Sequence, residues 1–119
     1  MNDQQTTLLQ IREKIEKIVQ DRDWEQFHNA KNLSMDVAVE AAELMEHFLW
    51  IESNECADAI KNNREEIEFE MADVLFPLLC LCNRYNIDLA DAVSRKLKII
   101  EEKYPIEKAK GRNVKYTKL

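Results

Sequence analysis

One glycine, Gly111, and two prolines, Pro77 and Pro105, are all that 119 residues contain of the two residue types that most often interrupt regular structure. Without glycines to supply positive φ, tight hairpins become rare, so the shortage argues against a hairpin-rich β fold. It also removes the Gly-rich loops with which Walker A and dinucleotide-binding folds bring backbone N–H groups onto phosphates. A chain of this composition that handles phosphates must hold them with side chains and a bridging cation. Cysteine is scarce and odd in number: Cys56, Cys80 and Cys82, two of them in an apolar run and none in Cys-x-x-Cys spacing. They read as buried thiols of a reducing compartment rather than as disulfides or zinc ligands. No apolar run reaches the length of a membrane span, and the opening MNDQQTTLLQ lacks the basic and apolar parts of a secretory signal. A cytoplasmic, soluble protein with no membrane partner is therefore expected. The formal charge of −6 lies on an acidic body followed by a basic end, Lys108 to Lys118, a balance that should repel nucleic-acid polymers.

What the chain does have is helical periodicity. Leu8, Leu9, Ile11, Ile15, Ile18 and Val19 recur at three- and four-residue spacing, which predicts an amphipathic helix over about 6–21. Asp21 to Lys31 reads as a connection with a short helical turn. A second helix is expected over about 33–51 with Asn32 as its cap, and Ser53 to Asn63 as a polar loop or ragged helix start. A third helix is expected over about 64–85, and a fourth over about 89–103, capped by Asp88 and closed by Pro105. Four helices on short connections imply an all-α fold, a four-helix antiparallel bundle. Length and the lack of a linker imply a single domain over 1–119, with a basic tail at about 106–119. Val74 to Cys82 is continuously apolar and leaves its helix no water-facing side, so a homo-oligomer is expected, at least a dimer.

Two acidic stripes stand out. At 100° per residue, Asp36, Glu40, Glu43, His47 and Trp50 fall on one narrow line of the second helix, hemmed by apolar residues. Glu66, Glu70 and Asp73 form a similar line just before the apolar run of the third. Facing each other, the stripes would crowd four carboxylates, an arrangement that protons or a cation must relieve. All-oxygen ligation favours Mg²⁺, with Mn²⁺ next, over zinc, copper or haem iron. A di-iron bundle needs Glu-x-x-His on two helices; the only histidines are His28 and His47, and Leu44 stands three before His47.

The run RDWEQFHNAKNLSMDVAVEAAELMEHFLW, the later EFEMADV and the ending KYPIEKAKGRNVKYTKL together resemble the MazG-like all-α nucleoside triphosphate pyrophosphohydrolases, in particular their dCTP-pyrophosphatase-like branch. The resemblance runs from about Arg22 to the C-terminus. Its signature, Glu-x-x-Glu followed by Glu-x-x-Asp, is matched by Glu40, Glu43, Glu70 and Asp73. It implies Mg²⁺-dependent hydrolysis of a nucleoside triphosphate, such as dCTP or a modified form, to the monophosphate and pyrophosphate, by a tetramer. By position it implies that Glu43, Glu70 and Asp73 bind the metal, while Glu40 completes the shell or orients the attacking water. Trp24, His28 and Trp50 fall at base-pocket positions, and Lys96 at a phosphate contact. Two residues depart from the pattern: Ile100 stands where relatives commonly carry Asn, and Pro77 where an aromatic is common. The competing expectation is a helical oligomeric scaffold or regulator that retains the fold without catalysis. An aligned acidic set has no purpose in such a module.

Overall fold

The computed structural model describes all residues, 1–119, as helices, turns and connections without a strand. Six α-helices follow in order: α1 (Leu8–Asp21), α2 (Ala30–Glu46), α3 (Cys56–Asn62), α4 (Arg64–Arg84), α5 (Leu89–Lys103) and α6 (Ile106–Ala109), with 3₁₀ turns at Trp24–Phe27, Ser53–Glu55 and Tyr116–Lys118. The chain divides into two compact units, Met1–Ile87 and Asp88–Leu119.

In the first unit α4 is the central element, packed by α2 and by α1. Both run antiparallel to it. On the α1 side the Arg12 Nε donates to Asn83 Oδ1 at 2.8 Å, the Arg12 guanidinium donates to the Ile87 carbonyl at 2.9 Å, and Asn83 Nδ2 donates back to the Arg12 carbonyl at 3.1 Å. On the α2 side His47 meets Glu70 near the start of α4. Ile15 and Val19 of α1, Leu33 of α2 and Ile67, Pro77, Leu79, Cys80 and Cys82 of α4 are the buried residues. The buried residues of α4 fall on several sides of the helix, so the core wraps around its apolar run rather than lining one face. Pro77 is accommodated inside α4, where it leaves the Asp73 carbonyl without its helical N–H.

Local chemistry moves several helix ends from where periodicity alone puts them. Thr7 and Gln10 form a reciprocal capping box, so α1 begins at Leu8. The cap of α2 is Asn29, not Asn32: the Asn29 side chain accepts from the Asn32 N–H at 2.9 Å, and the Asn32 amide donates instead to the Phe27 carbonyl at 3.0 Å. The same helix ends at Glu46 rather than Ile51. The N–H groups of Phe48 and Leu49 turn back to the carbonyls of Met45 and Glu46, and Trp50 then takes a left-handed φ of 65°. Residues 56–62, where a loop or ragged start is expected, form α3.

In the second unit, the Asp88 side chain accepts from the Asp91 N–H at 3.0 Å and starts α5 as expected. Its basic tail folds back on the end of α5. The Tyr104 and Tyr116 rings meet edge to face at 6.0 Å, and the Lys103 ammonium lies 4.6 Å from the Tyr116 ring centre.

Candidate active site

Helical spacing places Glu40 and Glu43 one turn apart on α2, and the antiparallel packing of α4 brings Glu70 against them. One carboxylate oxygen from each of these three residues lies within 4.8 Å of the others. Glu40 and Glu70 are half-buried and Glu43 is exposed. Asp73, one turn beyond Glu70, is exposed and stands outside that tight trio, though its charge is felt at Glu40. Burial and, after it, the neighbouring charges of Glu43, Asp36 and Asp73 push the Glu40 carboxyl above its ordinary value.

The arrangement fits a divalent cation on two counts. The donors are all hard oxygens, suited to Mg²⁺ or Mn²⁺. In addition, Glu70 Oε2 is buried and has no hydrogen-bond partner. An unpaired buried carboxylate oxygen is costly, and a cation satisfies it directly.

Without metal, Glu40 should weaken the fold at neutral pH. Its folded-state value lies above the unfolded one, so protonation favours the folded chain. Stability is lost as pH rises from the ordinary 4.5 through the raised folded value. Glu40→Gln should therefore raise the melting temperature of the metal-free chain at pH 7, and the gain should vanish at about pH 4 and below. A gain that persisted undiminished in acid would show that charge relief is not its cause.

The aromatic and basic residues of interest are scattered. Trp24 sits in the 3₁₀ turn before α2, partly exposed, with the Arg22 guanidinium 5.7 Å from its ring centre. His28 follows it, half-buried, and lines a cavity of about 100 Å³ with Glu16, Glu25, Cys80, Asn83 and Arg84. Cys80 in that wall has its thiol pushed up to about 11, first by burial and then by Glu16 and Asp36. It is therefore not a nucleophile at neutral pH. Trp50 lies beyond the other end of α2, 93% exposed, beside an open apolar groove with Ala42, Met45, Phe48 and Leu49. The 17 residues of α2 separate the two ends by about 25 Å, so one chain cannot bring Trp50 and His28 to the same base. Lys96 is exposed on α5. Sequence reasoning overlooked His47 as a site residue: it lies on the acidic line, but only the tertiary approach of Glu70 gives it a partner.

The family model described as MazG-like matches residues 35–119, a stretch that includes both acidic stripes. The chain belongs to the MazG-like family. Mouse dCTP pyrophosphatase 1 is 35% identical to it over 115 residues, covering 95% of this chain and 68% of the relative. The human dCTP pyrophosphatase 1 is 36% identical over the same shares. Among solved structures, a pyrophosphatase from Archaeoglobus fulgidus superposes with a TM-score of 0.81 at 33% identity, over 88% of this chain and 98% of that one.

Proposed function

We propose that this chain is a nucleoside triphosphate pyrophosphohydrolase that cleaves between the α- and β-phosphates, releasing the monophosphate and pyrophosphate, with dCTP or a modified dCTP as substrate. The observation that carries this reading is the approach of Glu40, Glu43 and Glu70 carboxylate oxygens within 4.8 Å of one another, with one Glu70 oxygen buried and unsatisfied. The relatives named for dCTP hydrolysis supply the substrate class.

Glu43, Glu70 and Asp73 would hold Mg²⁺, or Mn²⁺ in its place, with Glu40 at the edge of the shell. Bound there, the ion would neutralise phosphoryl oxygens as a Lewis acid. Glu40, from α2, accepts a hydrogen bond from the attacking water and takes its proton as the new P–O bond forms in line with the departing phosphate oxygen. The half-buried setting of Glu40 limits the competing water around it. The family resemblance assigns a phosphate contact to Lys96, and Trp24, His28 and Trp50 to the base. Because Trp50 and His28 lie at opposite ends of α2, a base touching both needs a residue from a second copy. The active form is thus an oligomer, a tetramer by family resemblance.

Pyrophosphate release from a panel of nucleoside triphosphates, with and without Mg²⁺, tests this reading. Release only with the divalent ion, and fastest with dCTP or a modified dCTP, is expected; no release from any nucleotide under either condition would favour a scaffold. Within that panel, Trp50→Ala should raise KM for every accepted nucleotide by about 5- to 150-fold, since stacking on an aromatic is worth about 1–3 kcal/mol whatever the base. Ile100→Asn should instead change the ranking of nucleotides by adding a polar contact. Unchanged KM values in the first variant would remove Trp50 from the base pocket, and an unchanged ranking in the second would reject a role for position 100 in choosing the base.

A further inference from the structure

His47 is the only imidazole beside the acidic trio. Its Nε2 stands 3.7 Å from Glu70 Oε1, and the two side chains are 17% and 23% exposed, so the contact is largely shielded from water. His47 is also the C-cap residue of α2, four residues beyond Glu43, so the helix that presents two of the acids sets the imidazole as well. The two oxygens of Glu70 therefore differ: Oε1 faces a nitrogen, and Oε2 is buried with no hydrogen-bond partner. No nitrogen of His47 joins the three carboxylate oxygens that lie within 4.8 Å of one another. Closing the gap by about 0.7 Å would give an ordinary N–H···O hydrogen bond.

We propose that His47 is a positioning residue for the metal site, holding Glu70 through Oε1 so that Oε2 is left to the divalent cation. The inference rests on the reading of the acidic trio as a metal site. A ligand carboxylate that is free to rotate must be ordered when the ion binds, whereas one already held on its outer oxygen is not. Partners of this kind are typically worth 10–100-fold in metal affinity.

The test is Mn²⁺ binding to the metal-free full-length chain without nucleotide, followed by the loss of the free-ion EPR signal. It compares the parent with His47→Leu, His47→Gln and Glu43→Gln, each checked for its melting temperature. The parent should bind and Glu43→Gln should lose binding. His47→Leu should weaken binding by about 10–100-fold. His47→Gln, whose amide nitrogen can reach the place of Nε2, should stay within a few-fold of the parent. Equal affinity in His47→Leu and the parent, with Glu43→Gln defective, would overturn the role of His47 and leave the metal site standing. No binding by the parent, or undiminished binding by Glu43→Gln, would instead overturn the metal site and this inference with it. A His47→Gln variant as weak as His47→Leu would overturn orientation by an N–H donor. Pulsed EPR of the parent Mn²⁺ complex supplies a readout independent of any variant's folding: no directly coordinated nitrogen is expected, and a coordinated one would make His47 a ligand rather than a positioning residue.

Discussion

Glu43→Gln should lose hydrolysis by at least about a hundredfold while the metal-free chain becomes more stable, not less. Loss of activity follows from removing one of the three oxygens that approach within 4.8 Å. The gain in stability follows from the same distance. Two like charges at that separation repel by about 1 kcal/mol in water and about 3 kcal/mol at the effective dielectric of a protein surface. Glu43 is exposed, which places the relief near the lower figure. Asp73→Asn should lose activity in the same way but gain less stability, because Asp73 stands outside the tight trio. The opposite signs are the useful part of the prediction: a substitution that inactivates by damaging the fold lowers the melting temperature and the rate together. Pyrophosphate release at saturating Mg²⁺ and thermal unfolding in chelator measure the two. Activity within tenfold of the parent in both variants would reject the assigned acids.

Much of this arrangement is legible in the chain because it depends on short-range periodicity. Glu-x-x-Glu and Glu-x-x-Asp need only helical spacing to align their carboxylates. Asp88 with Asp91 three residues on marks the start of α5 by the same local logic. The failures have physical causes. Asn29 and Asn32 are both good caps, and the choice between them depends on Asn32 finding the Phe27 carbonyl. The early end of α2 is hidden because Trp50, a bulky residue, takes a left-handed φ that normally calls for glycine or asparagine. Asp23 and Asn86, the other non-glycine residues with positive φ, are of the types that tolerate it. The Arg12–Asn83 tie and the His47–Glu70 contact join residues far apart in sequence, so no local pattern announces them. The stripe on α2 also suggests a continuous line from Asp36 to Trp50. The turn after Glu46 removes Trp50 from that line and puts His47 at its end, next to Glu70.

Light scattering of the purified chain should give a mass at least twice that of one copy, and Val39→Lys combined with Met45→Lys should bring it down to a monomer. α2 has three faces rather than two. Leu33, Val37, Ala41, Leu44 and Phe48 are buried or half-buried, and Glu40 and Glu43 form the acidic line. Met35, Ala38, Val39, Ala42 and Met45 make a further stripe at helical spacing, and all five are exposed, Met45 by 70%. A helix on the surface of a self-sufficient unit keeps polar residues on such a face. Continuing past the helix, Leu49 and Trp50 extend the exposed apolar surface, and Phe69 and Met71 of α4 are exposed as well. Patches of this kind on soluble chains mark interaction surfaces. A second copy is the occupant that also answers the separation of Trp50 from His28, since it can bring one chain's Trp50 to the other chain's pocket. A specific interface buries about 1,200–2,000 Å² in all, and two lysines in its apolar centre leave charges without partners. If the stripe is the interface, the double variant should be monomeric at micromolar concentration and should lose affinity for nucleotide with its acidic trio intact. An unchanged mass in the double variant would move the interface elsewhere, and a monodisperse monomer of the parent would reject assembly altogether.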